Sequence, residues 1–186
     1  MPAAAPVLVL GDPRLRVPAR SIALASSTDL ADARAELLAT LAAFRREHGF
    51  GRAIAAPQIG RDLRLIALNL GDARGAFTIG DPVLTWASDA TITLWDDCMS
   101  LPDMMVKVRR RRSISLRFVD EAGATQTWER LPPTLAELLQ HELDHLDGIL
   151  MLDRQELGST PITRDLYVRE RARFDAEVDL TITPTI

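Results

Sequence analysis

Two of the chain's three histidines stand four residues apart, in the run His141-Glu142-Leu143-Asp144-His145. On a helix of 3.6 residues per turn, positions four apart lie about 40° apart on one face with Cβ atoms roughly 6 Å apart, so both imidazoles can reach one metal ion. Glu142, beside the first imidazole, is then placed to exchange a proton with a water on that ion. The alternative is a solvated helix face that happens to carry His, Glu and Asp, and the specificity of HExxH on a helix weighs against it. A catalytic zinc-type site needs three protein ligands and one open position. Downstream Asp153, Glu156 and Glu170 would complete a metalloprotease-like set. Upstream Cys98, the only cysteine, would complete a Cys/His/His set and is the sharper candidate. Its neighbours Asp96, Asp97 and Ser100 make a polar setting, unlike that of an inert buried thiol. A third segment, Ala55-Ala56-Pro57-Gln58-Ile59-Gly60, joins small residues that permit close backbone approach to an uncharged amide donor that can steady an oxyanion. Taken alone, it also reads as an ordinary passage from loop to strand.

The elements that position these residues follow from hydrophobic periodicity. The second long helix starts at Pro132-Pro133-Thr134, with Glu137 as the partner of a capping box, and runs through Leu146 to Gly148. The first is capped at Thr28-Asp29 and carries Ala33, Leu37, Leu38, Leu41 and Phe44 on one stripe, ending near His48-Gly49. Short strands are predicted at 7–10, 63–70, 76–79, 83–86 and 91–94. A longer alternating run, 105–119, is expected to pair antiparallel with a return at 124–128. A charged helix opens at Thr160-Pro161 and runs to about Asp175, and Val178, Leu180 and Ile182 alternate as a terminal strand, self-contained or added to a neighbour. Helices at both ends of an antiparallel middle predict an α+β fold in which the sheets pack around the metal-binding helix.

At 186 residues the chain is expected to form one domain, 1–186, and its net charge of −4 argues against a general nucleic-acid or membrane-surface binder. The basic run Arg109 to Arg112 does not reverse this, because alternate strand residues point to opposite faces and the four make no single patch. A lone cysteine forms no internal disulfide, so a cytoplasmic setting is expected, and the opening Met1-Pro2 with its short apolar run is read as mature and soluble.

Taken in order, the three chemical segments resemble those of the peptide deformylase family, whose pattern is GxGxAAPQ, then EGCxS, then QHExDHxxG. The third matches throughout, from Gln140-His141-Glu142 through Asp144-His145 to Gly148. The first keeps Gly51 and Ala55-Ala56-Pro57-Gln58 but has Ala53 for the second glycine. The second keeps Cys98 and Ser100 but has Asp96-Asp97 for Glu-Gly. With the Asp-Pro-Arg-Leu near the start, the resemblance covers residues 7–155. It implies hydrolytic removal of the N-formyl group from peptides that begin with formyl-methionine, with Fe(2+) native and Zn(2+) or Ni(2+) possible as isolated. It also implies Cys98, His141 and His145 as ligands, Glu142 as proton shuttle, and Gln58 with the Met99 backbone N–H as oxyanion donors. Nascent chains at the ribosome are the implied partners, with a homodimer open. A deformylase-like amidase acting on a non-ribosomal formamide or formyl-peptide and a catalytically silent binding relative stand as the alternatives, and the intact Glu142 and Gln58 count against the second.

The resemblance places Gly51, Arg52, Ala53, Ile54, Asp97, Glu137 and Leu138 at the substrate, and pairs Arg110 with Asp144 behind the metal helix. Glu137 steps by four to His141 and His145, so it faces the pocket. Familiar deformylases are apolar there, as they often are at Arg52. A carboxylate in such a wall costs free energy unless paired. Either Glu137 is paired with Arg52 or another base and the pocket still takes methionine, or a more polar first residue is preferred.

Overall fold

The computed structural model describes residues 3–182; the Met1-Pro2 of the leader reading lies outside them. A 22-residue helix, α1 (Ser27–His48), is capped by Ser26, whose hydroxyl accepts from the Asp29 N–H, and ends where Gly49 turns left-handed at φ 70°. The cap therefore sits two residues before Thr28, which belongs to the first turn.

Five antiparallel strands follow in the order β1 (Ala53–Ala55), β2 (Leu65–Asn69), β3 (Ala76–Ala87), β6 (Ile114–Val119) and β7 (Thr125–Trp128). The second sheet holds β4 (Thr91–Cys98), β5 (Leu101–Arg111) and β8 (Ile162–Thr163). Along β1 and β2 both faces are buried, and the alternation divides them. Ala53, Ala55, Ile66 and Leu68 pack with the helix α2 (Pro133–Leu146), while Ile54, Leu65 and Ala67 pack with Leu37, Leu41 and Phe44 of α1. Opposite contacts bring α2 against β1 of one sheet and β5 of the other. The metal-binding helix thus lies between the two sheets, as the α+β expectation has it.

Several predicted boundaries move. Residues 7–10 form no strand; Leu8 and Leu10 donate singly to the Gln58 and Ser100 carbonyls at 2.7 and 2.9 Å. The runs 76–79 and 83–86 are one strand, because the ladder slips between Gly80 and Val83 around Asp81 at φ 44°, whose carboxylate takes the Ser21 hydroxyl and the Ile22 N–H. The run 105–119 breaks at 112–113 and serves both sheets, so the return at 124–128 pairs with β6 alone. No capping box forms on α2: its N-cap is Pro132, two residues before Thr134, so Glu137 does not stand at the third helical position and pairs with Arg52 instead. The C-terminal helix splits at Glu170 into α3 (Arg164–Arg169), capped by Thr163, and α4 (Arg171–Asp175). The terminal strand is absent: Asp179 and Leu180 both donate to the Thr93 carbonyl at 3.1 Å, two N–H groups on one oxygen, which caps the edge of β4 instead of extending it. No helix of the described residues is long and apolar enough to cross a membrane.

Candidate metal centre and its cavity

Cys98 stands at the end of β4, where the β4–β5 ladder shifts register between Asp97 and Cys98 and the chain turns tightly to Leu101. His141 and His145 project from one face of α2. The His141 and His145 Nε2 atoms lie 3.1 Å apart and the Cys98 Sγ is 3.2 Å from the His145 Nε2, with all three donor atoms within 4.8 Å of one another. Ligand bonds of about 2.0–2.3 Å in a tetrahedral shell put neighbouring donors about 3.3–3.6 Å apart, so these three fit one divalent ion with little adjustment. All three are buried, and a soft sulfur with two imidazoles suits zinc- or iron-like ions. The downstream carboxylates are committed elsewhere: Asp153 to Arg16, Glu156 to Arg109, and Glu170 to Arg173.

A buried charged chain runs behind this face. Asp96 accepts from Arg110 at 2.7 Å and faces the His141 Nδ1 at 3.0 Å, while Arg110 also donates to Asp144 at 3.0 Å and Asp144 binds Arg154 at 2.7 Å. Burial alone would push Asp96 up, but His141 and Arg110 hold it well below the usual carboxylate range. Burial would likewise lower His141, and Asp96 outweighs it, holding that imidazole well above its ordinary value. His145 goes the other way, lowered by burial and then by the charge on His141. The Arg110–Asp144 pair matches expectation, but Asp96 carries a role that motif reading missed. The signal was available: residues 96 and 98 of one strand share a face. Arg109 and Arg111 are exposed around the buried Arg110. Arg110→Met should cost about 3–5 kcal/mol in denaturant unfolding because it strands a buried carboxylate. Arg109→Met, which loses only an exposed pair with Glu156, should cost under about 1 kcal/mol.

A cavity of about 130 Å³ opens beside the three donors. Glu142 lines it, is 3% exposed, has no donor for its Oε2 among the described protein groups, and is pushed up to about 7 by burial. Gln58 sits on the 3₁₀ turn after β1; its Oε1 accepts from the Ala55 N–H at 2.9 Å, which aims its Nε2 at the Ser100 hydroxyl (3.1 Å) and the Cys98 sulfur (3.7 Å). Met99 is buried on the cavity wall, and Gly51, at φ 109°, passes so close to the Met99 methyl that a Cβ there would collide.

Arg52 does pair with Glu137, and a second guanidinium nitrogen donates to the Thr134 carbonyl at 2.9 Å. Glu137 is only 1% exposed, and burial raises it to about 7 against the pull of Arg52. Ala53, Asp97 and Leu138 line the cavity as expected. Ile54 does not; the alternation of β1 turns it into the α1 core, away from the cavity. Missing from the motif reading are Phe50, Trp95 and a wall from the C-terminal segment comprising Arg164, Tyr167 and Arg171. Nothing in the periodicity of that segment marks it as facing a cavity whose other walls come from β1, β4 and α2.

The family model described as polypeptide deformylase matches residues 4–159. The peptide deformylase of Methylocella silvestris is 32% identical over 154 residues, covering 80% of this chain and 75% of the relative. A "peptide deformylase-like" protein of Bradyrhizobium diazoefficiens is 35% identical over 149 residues, covering 80% and 84%. Among solved structures, the peptide deformylase of Thermotoga maritima superposes with a TM-score of 0.73 at 25% identity, covering 82% of this chain and 98% of that one.

Proposed function

The chain belongs to the polypeptide deformylase family, and on that premise we propose how its own residues carry the reaction. The activity is metal-dependent hydrolysis of the N-formyl group of N-formylated peptides, which releases formate and a free amino terminus. One divalent ion takes part, and Cys98, His141 and His145 would hold it; when bound, it supplies Lewis-acid polarisation and a water acidified towards neutral pH. Fe(2+) is the proposed native ion, with Zn(2+) or Ni(2+) as substitutes, on the strength of the family resemblance; the mixed thiolate and imidazole donor set accommodates all three.

Glu142 takes the proton from the attacking water at its carboxylate and returns it to the leaving amine nitrogen, which is why its Oε2 needs no protein donor. The Gln58 Nε2 and the Met99 N–H donate to the oxygen that becomes negative. Asp96 accepts from the His141 Nδ1–H, fixing the tautomer that leaves the other nitrogen for the ion, and Arg110 holds Asp96 in turn. The observation that carries this reading is the convergence of three buried donor atoms, those of Cys98 and His141 belonging to cavity-lining residues, with a buried, unpartnered carboxylate on the same cavity. The whole chain, 1–186, acts as one catalytic unit in the cytoplasm, with chains emerging from the ribosome as its substrate pool.

The test is formate release from formyl-Met, formyl-Gln and formyl-Lys tripeptides by Ni(2+)-loaded protein, beside Glu137→Leu. Because Arg52 already satisfies Glu137, formyl-Met should be accepted by the wild type, and Glu137→Leu, which leaves Arg52 unpaired at the wall, should shift the ranking of the three. An unchanged ranking and unchanged kcat/KM would remove Glu137 from the pocket, and no formate from any peptide would remove the activity.

A further inference from the structure

Besides α2, the cavity is walled by the end of β4, by the Gly51–Ala53 stretch at the edge strand β1, and by a third side that the family motifs do not contain: Arg164, Tyr167, Val168 and Arg171 of the C-terminal segment. That third side is tied down at both ends. At its start, Arg164 donates to the Asp97 carboxylate at 2.9 Å and to the Pro102 carbonyl at 2.8 Å, with its guanidinium carbon 3.7 Å from the centre of the Phe50 ring. One side chain therefore spans the opening from the residue before Cys98 to the residue before Gly51. At its end, the Asp179 carboxylate takes the Thr93 N–H and hydroxyl, both at 2.8 Å. Between these ties, Trp95 donates its indole N–H to the Phe174 carbonyl at 3.1 Å and packs edge-on to that ring.

β4 is the outer strand of its sheet, and Thr93 turns its N–H and C=O outward to the tail. By alternation the outward groups of this edge are those of residues 93, 95 and 97. At about 3.3 Å per residue, an extended peptide laid along the edge from Asp97 draws level with Trp95 within about two residues and meets the tail at Thr93 within about four. The first residue of such a peptide lies by Cys98 and α2. Its second and third residues are the ones that meet the C-terminal wall.

We propose that the C-terminal segment is the part of this enzyme that binds the second and third residues of the formyl peptide, and that Arg164, latching Asp97 to Phe50, is the positioning residue that holds it in place. This accounts for Asp97, which stands where the second motif carries glycine: the carboxylate exists to anchor the wall. The inference rests on the deformylase reading.

The test compares formyl-Met-Ala-Ser with formyl-methioninamide, which has no second residue to reach the wall. Arg164→Ala should lower the preference for the tripeptide, as the ratio of kcat/KM values, by about tenfold, chiefly through KM. Asp179→Ala should lower it in the same direction. Arg164→Lys keeps a cation for Asp97 but loses the planar group over Phe50, and should fall between. A merely structural role would slow both substrates equally, so a ratio within twofold of wild type in Arg164→Ala overturns the proposal. Calorimetric binding of the product Met-Ala-Ser against methioninamide measures the wall without turnover. The same tenfold loss of preference there supports the proposal even if the wild type releases no formate, in which case the deformylase reading falls by itself; equal losses for both ligands refute the wall.

Discussion

Glu142→Ala is expected to retain one divalent ion per chain while losing about 10³-fold or more in kcat/KM for formate release, because ligation and proton transfer are separate roles on neighbouring residues. His141 and His145 turn their Nε2 atoms to the Cys98 sulfur, whereas Glu142 lines the cavity and contributes no atom to that cluster. Removing it leaves the donor set whole. It also leaves no stranded partner, since its Oε2 receives no hydrogen bond from the protein. The thermal midpoint should therefore stay level or rise, as burying an ionisable group with nothing to satisfy it is costly in the folded state. Metal content by elemental analysis, turnover and melting on one preparation separate the cases. Near-normal turnover dismisses the proton-shuttle role, and a loss of metal or a collapse in stability would make Glu142 a structural residue.

What the sequence carried was local chemistry, and what it hid was long-range geometry. His141, Glu142 and His145 were legible because a helix fixes their relation within one turn, and Cys98 because only one cysteine exists to complete the set. The two faces of β1 were less legible. A three-residue strand buried on both sides offers no polar alternation, so Ile54 was placed on the pocket when its side chain belongs to the α1 core. The tail misled for a related reason: Val178, Leu180 and Ile182 alternate as a strand would, yet Asp179 spends its carboxylate on Thr93, and the segment becomes a cap on an edge. Glu137 invited a capping box until the N-cap proved to be a proline, and its true partner lies 85 residues away at Arg52. The last two depend on which distant group a polar side chain finds, which no period in the sequence encodes.

Cys98→Ala should reduce bound metal from about one ion per chain to below about a tenth, because two imidazoles alone give neither the donor count nor the negative charge that an open tetrahedral site requires. The competing arrangement, in which a downstream carboxylate supplies the third ligand, has little to draw on. Asp153 is held by Arg16 and by the Leu150 N–H, Glu156 is bound at two oxygens by Arg109, and Glu170, at the break between α3 and α4, pairs with Arg173. To reach the histidines, any of them would have to leave its partner and enter a buried site, whereas the Cys98 sulfur is already 3.2 Å from one imidazole nitrogen. The thermal signature follows from linkage. A ligand at about a thousand times its dissociation constant stabilises the folded state by about 4 kcal/mol, so chelation should lower the melting temperature of the wild type and leave Cys98→Ala unmoved. If Cys98→Ala holds a stoichiometric ion, and Asp153→Ala or Glu156→Ala then releases it, the centre is of the His/His/carboxylate kind and the ligand assignment is wrong.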